Sequence, residues 1–195
     1  TARAHRRAFV VEVMGRDCGY LAMASAIAVA ADAVLIREQG KSEEQLVTDL
    51  SNVIRNGYAR GKRRILTIKA EGVQVPCTRL VRLTEEAMRA DMPNVEIRAT
   101  VLGHVVRGGN PSYQDRAIAG RLGFAAVASL LRGSSDTMVG WLPPVSGGTP
   151  TEDSSVQLFG LEQVLVETAA VIDGTSPVTQ RRLALMQKAS GVLAL

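Results

Sequence analysis

Three short segments combine glycine with side chains able to hold an anion or a hydroxylated ligand. In Val13-Met14-Gly15-Arg16 an apolar run ends in glycine and arginine, and a small-residue stretch starts at Gly19. Gly15 permits a close backbone approach. The N–H groups at the start of the following helix can face an anion, and Arg16 projects toward the same crevice. Ala70-Glu71-Gly72 ends a second apolar run with a carboxylate, an acceptor for ligand hydroxyls. Gly103-His104-Val105-Val106-Arg107-Gly108-Gly109 follows a third. Arg107 offers a planar fork for a phosphate, His104 can donate or accept beside it, and Gly108-Gly109 ahead of Asn110-Pro111 forms an anion-receiving nest. Taken singly, each has a plainer reading. Gly15-Arg16 is more often a simple turn, Glu71 more often a solvated loop residue, and His104 more often structural than a ligand.

These segments need elements that carry them to one place. Ala8–Met14, Ala33–Ile36, Arg64–Ile68, Val95–Leu102 and Met138–Leu142 are short apolar runs and read as strands. Between them Gly19–Ala31, the stretch opened by Ser42, Thr78–Arg89 and Ser112–Leu131 read as helices. Ser42 with Gln45 has the spacing of a capping box, and Leu46, Val47, Leu50, Val53 and Ile54 follow at helical intervals. Pro111 sits near the start of the fourth helix. Residues 143–155 are rich in Pro, Gly, Ser and Thr and read as a surface loop. Leu161–Ile172 and Val178–Leu193 read as two further helices around Gly174. The alternation predicts an α/β fold of three layers, a mostly parallel Rossmann-like sheet with helices on both faces and a helical C-terminal extension. Right-handed crossovers then set the strand C-termini along one edge, where ligands of such sheets bind. The expected division is an α/β domain over 1–142 and a loop with helical extension over 143–195, packed on that domain.

Composition excludes some classes. The 195 residues are 46% hydrophobic and 22% charged, an ordinary balance for a packed domain. No apolar run approaches the ~18 residues that suggest a membrane-spanning helix, and no signal-peptide pattern is present. Cys18 and Cys77 lack any metal or redox spacing and read as small buried hydrophobes, consistent with a reducing, cytoplasmic setting. Net charge is +4, and only 4% of residues are aromatic. A basic nucleic-acid binder ranks last, since the aromatic stacking platforms of single-strand binders are scarce here.

In combination the motifs are specific. Val-Glu-Val-Met-Gly-Arg-x-x-Gly-Tyr-Leu-Ala, then Ala-Glu-Gly, then Arg-Ala-Thr-x-Leu-Gly-His-x-x-Arg-Gly-Gly-x-Pro resembles the second half of the 6-phosphofructokinase family, from about Arg7 to about Gly140. The resemblance implies a fructose-6-phosphate-binding domain of an enzyme that phosphorylates the sugar's 1-hydroxyl in glycolysis. Met14, Gly15 and Arg16 match the segment that holds the sugar and sets an arginine near the transferring phosphoryl group, so Arg16 takes the catalytic role of offsetting developing charge. Glu71 matches the acceptor of sugar hydroxyls, and His104 and Arg107 match residues on the 6-phosphate. Arg7 and Arg98 match arginines that reach that phosphate from a neighbouring subunit, implying a homo-oligomer, dimer or tetramer, with shared sites. Arg60 and Lys62, with Asp32 as a metal-side contact, are similar to the effector site of the bacterial enzymes, although a solvated basic run accounts for them equally well. No protein metal ligand is assigned.

Departures accompany the match. Val106 stands where the family often has glutamine. The tail beyond Leu142 is longer than a compact bacterial member needs. The Gly-Gly-Asp and Thr-Ile-Asp-Asn-Asp segments of the family's first half are absent. Mg2+ and ATP, or pyrophosphate in its place, are therefore expected on a missing nucleotide-binding half, together with the catalytic aspartate. With threonine at position 1, a fragment of a phosphofructokinase is the expected reading, and such a half should expose an apolar face. A stand-alone, non-catalytic sugar-phosphate-binding module is the alternative.

Overall fold

β1 (Ala8–Val13) is an interior strand of a parallel four-stranded sheet ordered β2-β3-β1-β4. The structure is a computed structural model and describes residues 7–142 and 147–193. β2 spans Ala33–Leu35, β3 Ile65–Ala70 and β4 Ile97–Val101. β1 pairs β3 in the register Val13↔Ala70 and β4 in the register Phe9↔Arg98. A run of Ala, Val and Ile suits these strands because a parallel sheet is covered on both faces.

Three helices connect them. α1 (Tyr20–Ala28) is built of small residues and lies close on the sheet through Ala22, Met23 and Ala26. α2 (Glu43–Ala59) opens with the capping box expected from sequence, Ser42 Oγ accepting from Gln45 N and Gln45 Oε1 from Ser42 N. α3 (Cys77–Met88) is amphipathic, with Cys77, Leu80, Val81, Thr84 and Met88 inward. Two cores result. Leu46, Leu50, Ile54 and Tyr58 of α2 join Leu80 and Met88 of α3 against Ala8, Val10, Ile65 and Ile97. On the other face Ala22, Met23 and Ala26 meet Val13, Val34, Ile68 and Ala70, with Leu183 of a later helix, α6 (Pro177–Leu193), packed against them.

The chain divides into two compact units, residues 1–107 with 179–195 and residues 108–178, a partition other than the boundary at 142 expected from sequence. In the second unit α4 (Tyr113–Leu131) starts one residue after Ser112, whose side chain caps Asp115 N while Asp115 returns the bond. Pro111 directly precedes the cap, near the helix start as expected. β5 (Thr137–Trp141) is not a further parallel strand. It pairs antiparallel with β7 (Val156–Gly160), which pairs β6 (Thr149–Pro150). The expected loop over 143–155 therefore holds a short strand, and its residues 143–146 lie outside the described residues. α5 (Leu161–Ile172) has the bounds expected from its pattern. Arg121 of α4 grips both Asp153 carboxylate oxygens at 2.5 Å and lies 4.4 Å above the Trp141 ring. Phe124, Val127, Leu130 and Leu131 of α4 and Leu165 and Val166 of α5 are exposed within this unit. Among the described residues no helix is long and apolar enough to cross a membrane.

Candidate functional site

β1 lies between β3 and β4, so the loops leaving the C-terminal ends of these three strands are neighbours. They carry Gly15-Arg16, Glu71-Gly72 and Gly103–Arg107. Glu71 Oε1 accepts from Gly15 N at 3.0 Å and also from Arg16 N. One carboxylate oxygen thereby closes the turn after β1. The turn needs this support, because Arg16 is held at φ 51°, a left-handed conformation disfavoured for a side chain with Cβ. Gly72 completes the lock. A Cβ there would lie 2.5 Å from Arg16 O, so only glycine admits the two loops this close.

Arg107 ends the 3₁₀ turn Gly103–Arg107, which also presents His104, and both side chains are exposed. The Glu71 carboxyl titrates below the ordinary glutamate range. The Arg16 and Gly15 backbone N–H groups are the main cause, and the positive charges of Arg107 and Arg16 add to it. The structure thus brings Gly15, Arg16, Glu71 and Arg107 together at one sheet edge, with Met14 half-buried and His104 in the same turn as Arg107. The result is a shallow, solvent-facing cationic edge with one persistent anion, suited to a ligand that bears both hydroxyls and a phosphate.

Arg7 and Arg98 stand elsewhere. Arg7 precedes β1, and Arg98 pairs with Phe9 near the strand's start. Both guanidiniums donate to Glu96, one to each carboxylate oxygen. With ~3.3 Å per strand residue, this pair is about 20 Å from the loops at the opposite edge. Of the remaining sequence candidates, Lys62 pairs with Asp32 at 2.7 Å, and Asp32 also accepts from Leu66 N at 2.8 Å. Arg60 is the exposed C-cap of α2. Among the described residues no group of three or more His, Cys, Asp or Glu is arranged to hold a metal ion.

Some contributors were not read from sequence. Asp17 receives Arg37, and Glu38 Oε1 accepts from Gly19 N at 2.6 Å, the residue that caps α1. Lys69, one residue before Ala70, is 1% exposed and forms an ion pair with Glu12 at 2.9 Å. A lysine in a strand carries no sequence signal that separates this arrangement from an exposed one. Cys77 is buried as expected, and burial pushes its thiol upward. Cys18 is only partly buried and lies 3.8 Å from Arg182 Nη1, while Arg182 stacks 4.3 Å from the Tyr20 ring.

Comparison with known proteins bears on this geometry. The Phosphofructokinase family model matches residues 1–130. The chain is 46% identical over 140 residues to the ATP-dependent 6-phosphofructokinase of Natranaerobius thermophilus, covering 72% of this chain and 41% of that protein. It is 36% identical over 177 residues to the ATP-dependent 6-phosphofructokinase of Cytophaga hutchinsonii, covering 90% of this chain and 52% of that one. The chain therefore spans about two fifths to one half of the length of these curated relatives. Among solved structures, Pichia pastoris phosphofructokinase in the T-state matches with a TM-score of 0.76 at 28% identity, covering 99% of this chain and 21% of that one. A pyrophosphate-dependent phosphofructokinase from Marinobacter aquaeolei shares the fold, with a TM-score of 0.58 at 19% identity over 83% of this chain and 42% of that one. By the extent of the family match and the identity to its relatives, this chain belongs to the phosphofructokinase family.

Proposed function

We propose that this chain is the fructose-6-phosphate-binding half of a 6-phosphofructokinase, acting in glycolysis in the cytoplasm. The observation that carries the reading is the convergence of Arg16, Glu71 and Arg107 on the loops after β1, β3 and β4. In this reading Glu71, ionised and fixed by two backbone N–H groups, turns its second oxygen to sugar hydroxyls. Arg107 forks onto the 6-phosphate, with His104 beside it. Met14 and Gly15 line the sugar. Arg16, held by its turn at the crevice, offsets the charge that develops as a phosphoryl group passes to the 1-hydroxyl. The proton leaving that hydroxyl goes to a base in the other half of the enzyme, which also binds the donor with Mg2+. The donor is ATP, in keeping with the names of the curated relatives. Arg7 and Arg98 serve the 6-phosphate of a neighbouring subunit, since their own chain's site is at the far edge of the sheet, and the enzyme is a homo-oligomer. Arg60, Lys62 and Asp32 are assigned to an effector site.

Calorimetric titration with fructose 6-phosphate, with fructose as control, tests the reading. Binding that depends on the phosphate is the expected result. In a folded and oligomeric sample, equal or no binding of the two sugars would overturn it.

A further inference from the structure

The buried lysine has no part in the site as described, yet it sits directly beneath it. Lys69 is the last residue but one of β3, paired in register with Glu12 of β1. Its ammonium uses all three donors: Glu12 Oε2 at 2.9 Å, Val73 O at 3.0 Å and Ala70 O at 3.3 Å. Burial of an ion pair is weak evidence of a stabilising role, because a well-packed apolar pair of similar volume often does as well or better. Neighbours on the same strand, Ile65 and Ile68, show that this sheet accepts apolar side chains readily. A lysine here needs another explanation, and its two carbonyl acceptors supply one. Ala70 and Val73 flank Glu71-Gly72 on either side. Beside that segment, Val73 N donates to Ala70 O at 3.1 Å, Glu71 N to Val13 O at 3.0 Å and Gln74 Nε2 to Gly72 O at 3.4 Å.

We propose that Lys69 is a positioning residue: its ammonium pins the two carbonyls flanking Glu71-Gly72 and so fixes the carboxylate that closes the Gly15-Arg16 turn. Glu12 is the counter-ion paired with the ammonium at that depth. The chain of contacts runs from Glu12 to Lys69, to the Ala70–Val73 turn, to Glu71, and to the backbone of Gly15 and Arg16. Lys69 itself does not meet the ligand. The consequence for substrate rests on the fructose-6-phosphate reading above, whereas the consequence for the turn does not.

The test compares Lys69→Met with the charge-free pair Glu12→Gln/Lys69→Met. The readouts are amide hydrogen exchange at Gly15 and Arg16, affinity for fructose 6-phosphate, and thermal stability. In Lys69→Met the Gly15 and Arg16 amides should exchange about tenfold or more faster, while those of the β1 and β3 interior keep their protection. The double variant should recover thermal stability without recovering that protection, which a merely structural lysine would not produce. Affinity should fall about tenfold in both. Unchanged exchange at Gly15 and Arg16 in the folded double variant would overturn the proposal. Faster exchange there with unchanged affinity would uphold Lys69 as the anchor of the turn and remove that turn from the ligand site, whereas no phosphate-dependent binding by the unaltered protein would sink the fructose-6-phosphate reading instead.

Discussion

Glu71 and Arg107 are both exposed, and each depends on backbone for its place. Arg107 ends a single 3₁₀ turn, so its truncation leaves the strand and the cores untouched. Arg107→Ala should weaken fructose 6-phosphate binding by about 1.5–3 kcal/mol, the range for a hydrogen bond to a charged group. Titration of the folded variant checks this, and undiminished affinity would remove Arg107 from the phosphate subsite. Glu71 carries a pH dependence. The Arg16 and Gly15 N–H groups hold its folded pKa below the ordinary value, while the unfolded chain restores it. The clamp is therefore fully present at neutral pH and above the ordinary glutamate range, and is lost as pH falls through the depressed folded value. The amide shifts of Gly15 and Arg16 should inflect together at a pH below the ordinary glutamate range. An inflection within that range or above it would contradict the assignment.

At the scale of elements, the interlock of two loops is stricter than either strand. Gly72→Ala places a Cβ against the carbonyl of Arg16, a backbone atom that cannot swing aside. The expected cost is about 1–3 kcal/mol of stability by overpacking, measured by denaturant unfolding, with affinity for fructose 6-phosphate reduced as well. The same alanine at Gly40 meets no atom within 4 Å, but that residue's φ of 60° carries its own strain, so Gly120, open and helical, is the better control. Elements with a long periodic pattern or a cap were legible in the sequence: the Ser42 box and the bounds of α5 were read correctly. Arg16, Glu71 and Arg107 were legible as candidates because each follows a strand end. β7 was not, since four residues between a Ser-Ser pair and a glycine give too short a pattern, and the antiparallel sheet was missed with it. The roles of Lys69 and Glu96 were also hidden, because partners on strands far apart in sequence decide them.

At the scale of the molecule, the packing is unequal between the two units. Both large cores belong to the unit containing β1 to β4, whereas among the described residues of 108–178 the buried side chains are few: Ala125, Ser129, Val156, Phe159, Ser176 and Val178. Less apolar area removed from water means less resistance to denaturant. Trp141, the single tryptophan, reports on the weaker unit through its stacking under Arg121. Its fluorescence should change at lower urea than the far-ultraviolet helix signal. Coincident transitions would show that the two units unfold as one.

Arg7 and Arg98 share Glu96 at one edge of the sheet, while Arg16, Glu71 and Arg107 occupy the other. Under the shared-site reading, no chain can complete a site from its own residues, so two defective chains should rescue each other. Chains bearing Arg7→Ala and Arg98→Ala, co-assembled in equal amounts with chains bearing Arg107→Ala, would form mixed dimers holding one doubly damaged site and one intact site. At a fructose 6-phosphate concentration that leaves both parents nearly unloaded, random pairing of the whole enzyme would then restore about a quarter of wild-type turnover. Rescue of this kind separates a site built across a two-fold axis from one built within a single chain.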